Sequence, residues 1–457
     1  MKHLVLLILL SAFAIPHSSF SAQPNLILIL ADDLGCADLG CYGNTFNETP
    51  NIDRLAREGM RFMQFYAGPV CSPTRCNLQS GQDQARFGIT QHIPGHKRPF
   101  AKLSDPAVPL QLPLEVETFA ECLGKAGYRT GYFGKWHLGG AGFGPASQGW
   151  QRAEEIKGNT QPPAEKGGPP QRTTDVLALK AAEFIQTNKD HPFLLQISHA
   201  AVHIPLSTTP ELKAKYDKKA PMPGYPSNPE YAGLTEELDQ SVGRVVEAVE
   251  KAGIADNTLI LFLSDNGGLE HEQSGRVVTS NQPLRGEKGT LYEGGIRIPA
   301  IARWPGKVPA GSRCDTPLIS MDVYPTLVEL AGTTLPKSQP SDGISLVAVL
   351  RDPAFMLSRD TLHWHLPHYH HSTPASAIRK GDWKLIEFFE EGELELYDLK
   401  KDVGEQTNLT AREPARAKEL QAALAAWRQQ ISARMPEPNP NYDPARASEL
   451  AKGKRRE

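Results

Sequence analysis

The chain has 457 residues, 40% of them hydrophobic and 22% charged, a composition that excludes a disordered polypeptide and suffices for one large domain and a smaller one. Its formal net charge of -3 is spread without long single-sign runs, except at Lys452-Gly453-Lys454-Arg455-Arg456, so no nucleic-acid partner is expected. Six cysteines, at positions 36, 41, 71, 76, 122 and 314, are too few and too scattered for a disulfide framework, although Cys36 and Cys41 could pair.

Met1-Lys2-His3 and the apolar run 4–15 have the pattern of a secretory signal peptide. Cleavage is predicted after Ser21 or Ala22, giving a signal segment 1–22 and a secreted or periplasmic protein. The run is too short to span a bilayer comfortably, so no stable membrane insertion is expected, an uncleaved anchor being the competing reading.

Residues 26–30 form an uninterrupted apolar strand leading to Asp32 and Asp33, and residues 259–264 form a second one ending at Asp265 and Asn266. Such runs are buried on both faces. Shorter strands are predicted at 128–133, 193–198 and 299–304. Helical patterns intervene at 51–58, 118–125, 173–187 and 235–251. The alternation predicts an α/β fold with a mostly parallel central sheet flanked by helices. Ligands of such sheets bind beyond the carboxyl ends of the strands, where both acidic pairs fall. Asp and Asn also favour turns and caps, which accounts for one pair more readily than for two.

After Ala331 the composition shifts to a Thr-, Pro- and Ser-rich stretch, residues 332–343. Short alternating strands at 376–379, 383–389 and 393–399 then predict an antiparallel meander. Residues 411–435 read as an amphipathic helix with Leu420, Leu424, Trp427 and Ile431 on one stripe. The tail from Pro436 reads as polar and loose. His363-Trp364-His365 and His368-Tyr369-His370-His371 form a dense cluster in the connection to this smaller unit, open to three readings: a pocket lining, an extra metal site or a surface loop.

Pro73 in Cys71-Ser72-Pro73-Thr74-Arg75 is pre-set for the first turn of a helix, which places Cys71 at an N-terminus that attracts anions. Asp32, Asp33, Asp265 and Asn266 supply hard oxygen donors, which suit calcium or, less well, magnesium rather than zinc. Taken singly, these features are ambiguous: lone lysines are usually solvated, lone histidines usually sit on the surface or satisfied in the core, and a buried cysteine beside a proline turn is commonplace.

Together and in order, they resemble the type I sulfatases of the alkaline phosphatase superfamily. Cys71-x-Pro73-x-Arg75 resembles the signature whose cysteine is oxidised to formylglycine. Downstream, Leu78-Gln79-Ser80-Gly81-Gln82 keeps Leu78 and Gly81 of the family's pattern and lacks its arginine. Gly134-Lys135-Trp136-His137-Leu138-Gly139 resembles the second signature. His203 in Ala201-Val202-His203-Ile204-Pro205 and Lys288 in Arg285-Gly286-Glu287-Lys288-Gly289-Thr290 match a further histidine and a sulfate-binding lysine.

The resemblance covers most of residues 24–304 and extends more weakly to the meander. It implies an alkaline phosphatase-like catalytic domain at 23–335, a C-terminal α+β subdomain with an antiparallel sheet and a helix at 336–435, and a polar tail at 436–457. It also implies a calcium ion held by Asp32, Asp33, residue 71, Asp265 and Asn266, and maturation by a formylglycine-generating enzyme. The implied catalytic set is Cys71, Arg75, Lys135, His137, His203, Asp265 and Lys288. In the implied reaction the hydrated aldehyde attacks sulfur, Asp265 takes its proton, Lys288 and His203 bind sulfate and protonate the departing alcohol, and His137 assists release. The expected substrate is a sulfated saccharide. The alternatives are a phosphonate or phosphate diester hydrolase using the same site, and a non-catalytic sulfated-glycan binder with Cys71 unmodified.

Overall fold

Strand Asn25–Ala31 is the organising element of the computed structural model, which describes residues 23–164, 168 and 170–451. The predicted signal segment 1–22 and the basic end 452–457 lie outside the described residues. Every residue of Asn25–Ala31 is buried, because helices cover both faces of its sheet. Leu26, Leu28 and Leu30 join one core cluster, with Phe119 and Leu123 of helix Phe119–Lys125 and with Val323, Leu327 and Val328 of helix Val323–Leu330. Ile27, Ile29 and Ala31 point the other way, toward helices Pro50–Glu58, Thr173–Asn188 and Pro229–Lys251. Each fully buried leucine or isoleucine contributes roughly 1.5–3 kcal/mol, so this two-sided burial fixes both the register and the inner place of the strand.

The sheet has nine strands. Eight follow the spatial order 312–314, 60–66, 297–303, 258–264, 25–31, 193–198, 129–134, 152–155, and Leu318–Ile319 pairs with the 60–66 strand as the ninth. Most pairs are parallel, as predicted, but the strand predicted at 299–304 spans Arg297–Arg303 and runs antiparallel to both its neighbours. Strand Met60–Tyr66 was not legible because its polar and apolar residues are mixed.

A second sheet of four antiparallel strands follows: Thr361–Leu366, Ala375–Lys380, Trp383–Phe388 and Leu394–Asp398. The predicted meander lacked the first of these, so His363-Trp364-His365 lies on a strand and not in a connection. One face of this sheet packs Ile378, Leu385 and Leu396 against Ala417, Leu420 and Leu424 of helix Pro414–Gln430, which is shorter than the predicted 411–435. The other face packs Trp364, Ala377 and Ile386 against Tyr66, Ile296 and Ile319 of the larger unit. Fully buried Lys384 is 3.0 Å from Glu293 and 2.9 Å from Glu405, so an ionic cluster reinforces the apolar seam.

The tail is less loose than its composition suggests, since Glu437–Pro438 pairs with Leu103–Ser104. All six cysteines are free, so Cys36 and Cys41 are not joined. No helix among the described residues is long and apolar enough to cross a membrane.

Candidate active site

Strands 25–31, 193–198, 258–264 and 129–134 are mutually parallel and carry their carboxyl ends to one rim. Asp32 and Asp33 leave the first, His203 follows the second by a short turn, Asp265 and Asn266 leave the third, and Lys135 and His137 leave the fourth. Helix Cys71–Ser80 starts at this rim with Cys71 as its first residue, as the position of Pro73 predicts, and Val70 as an extended cap. Lys288 comes from the loop before the short helix Glu293–Ile296. The structure thus brings all ten residues singled out in the sequence to one place.

Donor atoms of Asp32, Cys71 and Asp265 lie within 4.8 Å of one another, all buried. Arg75 binds the two strand ends together, 2.8 Å from Asp265 and 3.2 Å from Asp32, and it donates to the Lys135 carbonyl at 2.6 Å. Lys135 is 2.5 Å from Asp32. On the opposite side, Lys288 Nζ is 2.7 Å from Asp33, Asn266 Nδ2 donates to Asp33 at 2.8 Å, and His203 Nε2 stands 3.6 Å away from the same carboxylate. Asp33 and His137 hold left-handed backbone, at φ 62° and 60°. Non-glycine residues pay on the order of 1 kcal/mol or more for that, and such strain clusters at functional sites.

Burial works to raise the Asp32 carboxyl, but Lys135, His203, Arg75 and Lys288 hold it well below the usual carboxylate range. Asp265 is pushed up by burial and by the charge of Asp32, against Arg75 and Lys135. Burial disfavours the ammonium of Lys288, yet Asp33 and Cys71 keep it firmly charged. His137 is held down to about 4 by burial and then by Lys135, so it is neutral near pH 7. Its Nε2 is 2.7 Å from the Ile93 carbonyl, which can only accept, so Nε2 carries the proton and the unpartnered Nδ1 carries the lone pair.

Two oxygens break the pattern of satisfied groups. Asp32 Oδ1 and Asn266 Oδ1 are buried with no hydrogen-bond partner, at the ends of two different strands. An orphaned carboxylate oxygen and an orphaned amide oxygen beside two more carboxylates are a donor set that suits a hard divalent cation. The residues present therefore fit such an ion.

A cavity of about 430 Å³ opens over Cys71, Lys135, His137, His203 and Lys288, and His92, His96, His370 and His371 complete its far wall. A second space of about 540 Å³ shares Lys135, His137 and His203 and extends along Glu155, Lys157 and Asn159. His92, His96, Lys157 and Asn159 were not found by sequence reasoning. They lie singly in irregular loops, and the Pro94-Gly95 turn hides the spacing of the two histidines.

The chain matches the family model described as Sulfatase over residues 24–333, and that described as N-sulphoglucosamine sulphohydrolase, C-terminal, over residues 286–433. It is 34% identical to a sulfatase of Formosa agariphila, over 89% of this chain and 88% of that one. It is 33% identical to N-acetylgalactosamine-6-sulfatase of Homo sapiens, over 74% of this chain and 69% of that one. A solved structure of Ps i-CgsB in complex with k-i-k-neocarrahexaose is 28% identical and superposes with a TM-score of 0.76, covering 92% of this chain and 95% of that one.

Proposed function

The chain belongs to the sulfatase family and is a sulfuric ester hydrolase of the alkaline phosphatase-like fold; on that premise we propose that it removes sulfate monoesters from sulfated saccharides, using residue 71 as nucleophile. The observation that carries this reading is the pair of orphaned oxygens, Asp32 Oδ1 and Asn266 Oδ1, buried beside Cys71 and ringed by Arg75, Lys135 and Lys288. A sulfate ester is anionic, and a nucleophile reaches its sulfur only where cations neutralise its oxygens. The saccharide class is supported by relatives that include N-acetylgalactosamine-6-sulfatase and a neighbour bound to a neocarrahexaose. The signal-peptide pattern supports an enzyme that acts outside the cytoplasm, where polysaccharide is met.

Asp32, Asp33, Asp265, Asn266 and residue 71 would hold a calcium ion, which supplies positive charge to the sulfate oxygens. Oxidised to formylglycine by a generating enzyme, residue 71 would supply a hydroxyl nucleophile; in the structure the Cys71 Sγ stands in for that oxygen. The protein's own groups do the rest. Arg75, buried and tied to the Lys135 carbonyl, orients residue 71 and holds Asp265 and Asp32 apart from solvent. Asp265 accepts the proton that the attacking hydroxyl loses. Lys288 and His203 flank Asp33 on the far side, where they bind the sulfate, and His203 protonates the departing alcohol. His137, neutral and with Nδ1 free, accepts the proton lost when sulfate leaves.

Cys71→Ala tests the reading. It should cut turnover of a sulfated saccharide by 10³-fold or more, on the order expected for loss of a nucleophile, while circular dichroism stays native. Undiminished turnover ends the proposal. Native, active protein whose intact mass shows an unoxidised Cys71 overturns the formylglycine step. Faster hydrolysis of phosphate diesters than of defined sulfated saccharides overturns the substrate class.

A further inference from the structure

Three histidines from two distant segments meet on the wall of the cavity opposite Cys71. His92 and His96 lie in the loop after helix Cys71–Ser80, and His370 lies in the connection between strands Thr361–Leu366 and Ala375–Lys380. Their ring centroids are 4.5 Å apart for His92 and His96, 5.5 Å for His92 and His370, and 5.3 Å for His96 and His370. One nitrogen from each lies within 4.8 Å of the other two. Among the described residues no carboxylate pairs with any of the three, and Nδ1 of His92 and Nδ1 of His370 are both buried without a hydrogen-bond partner. Buried polar nitrogens without partners are uncommon, because each gives up its hydrogen bonds to water and gains none in exchange.

The loops are held as if the arrangement were to be kept. Gln91, fully buried, accepts from the His96 backbone at 2.7 Å and closes the turn between the two histidines. Arg98 donates to the His370 carbonyl at 3.1 Å. The His370 ring lies against Gly289, where a Cβ would come within 1.9 Å of Nδ1 and where φ is 78°.

We propose that His92, His96 and His370 form a second metal site, for a borderline first-row cation of the Zn²⁺ class, distinct from the oxygen-rich cluster around Asp32. Imidazole nitrogens favour zinc, copper, nickel or iron over calcium, so the two clusters sort ions by donor type. Three protein ligands leave at least one coordination position, and the triad lines the same cavity as Cys71 and Lys288. An ion there would also brace the sulfate pocket. The Ile93 carbonyl, between His92 and His96 in sequence, meets His137, and His371, next to His370, meets the Lys288 carbonyl at 2.6 Å.

The test uses the full mature chain, stripped of transition metals and held in excess Ca²⁺, titrated with Co²⁺ and with Zn²⁺ by visible spectroscopy and calorimetry. One equivalent should bind, with the ligand-field bands of imidazole-bound Co²⁺. His96→Ala, at an exposed position where folding is not at stake, should weaken that binding at least tenfold, and His92→Ala should do the same. Asp32→Asn should leave it unchanged, which separates this site from the proposed calcium site whatever the fate of the sulfatase reading. Absence of stoichiometric binding, or binding unchanged in His96→Ala as expected if the free cysteines are the ligands, overturns the proposal.

Discussion

Replacing Lys384 by Met should destabilise the protein strongly at neutral pH and much less in mild acid. Lys384 has no exposed side chain, and neither has either of its partners, Glu293 and Glu405. Removing one member of a buried ion cluster costs about 3–5 kcal/mol, because the remaining charges are left unpaired in a low dielectric. Here two carboxylates are left. Burial pushes Glu405 up to about 7 even with Lys384 present, while Lys384, followed by Arg297 and Arg379, overcomes the same effect of burial at Glu293 and keeps it low. In Lys384→Met both carboxyls rise further, so the folded variant binds protons that its unfolded chain, with ordinary carboxyls near 4.5, releases. The sign follows: a carboxyl raised on folding loses stability as pH climbs from its unfolded value through its folded one. The deficit of the variant should therefore be about 3–5 kcal/mol at pH 8 and should shrink by at least half at pH 5.5. Urea unfolding at the two pH values, read as midpoint and slope, measures it. The double variant Lys384→Met, Glu405→Gln should recover part of the loss at pH 8. A deficit under about 1 kcal/mol, or one equal at both pH values, refutes the premise that the seam between the two sheets depends on charge compensation.

Adding Ca²⁺ at 100 times its dissociation constant should stabilise the protein by about 2.7 kcal/mol in denaturant titrations, and Asp32→Ala should remove that increment. Lys288→Ala deletes an ammonium held 2.7 Å from Asp33 and should lower kcat/KM by roughly 10- to 100-fold, the value of one or two charge-assisted contacts, in steady-state kinetics. His199 is fully buried, beside Ser241 at 2.9 Å, and burial holds it down to about 4. A base depressed on folding contributes stability that is complete above about 6.5 and lost as pH falls toward 4, on the order of 3 kcal/mol here, so His199→Asn should flatten the acid limb of stability against pH. Gly134→Ala would bring a Cβ to 1.9 Å from the Ser198 carbonyl at φ 116°, and a thermal melt should show a loss on the order of 3 kcal/mol.

The parts of the fold legible from sequence were those in which one kind of burial governs a whole element. Residues 26–30 and 259–264 are apolar throughout because helices cover both faces, and their ends announced the rim where Asp32, Asp33, Asp265 and Asn266 meet. Strand Met60–Tyr66 gave no such signal: Arg61 reaches back to the Cys41 carbonyl and Gln64 is half-buried, so its polar residues interrupt the apolar run without marking an exposed face. The tail at 436–451 is polar yet tied, since its order comes from backbone pairing with Leu103–Ser104 and from Asn439 donating to the Ala101 carbonyl at 2.7 Å. Backbone hydrogen bonds made by a polar segment leave no periodicity to read.

The histidines show where grouping along the chain misleads. His363 and His365 are two apart on one strand and so share a face, the one covered by helix Pro414–Gln430 and the tail: His363 stacks on Trp427 at 4.6 Å, and His365 binds Ser376 at 2.6 Å and the Arg434 carbonyl at 2.9 Å. Trp364 between them takes the opposite face and donates to the Ala67 carbonyl at 2.9 Å. His368 turns away from the cavity: its Nε2 meets the Thr90 hydroxyl at 2.8 Å and its Nδ1 faces Asp105 at 3.8 Å. Only His370 and His371 of this run reach the cavity, where the first meets His92 and His96 from a distant upstream loop. A run that reads as one feature is thus split between a strand, Thr361–Leu366, whose two faces use His363, Trp364 and His365 for packing, and the connection after it, which carries His370 and His371 to the pocket. The candidate second site joins one member of that run, His370, to His92 and His96, which carried no signal alone, so the nearness of the three rings after folding is a better guide to it than the density of histidines along the chain.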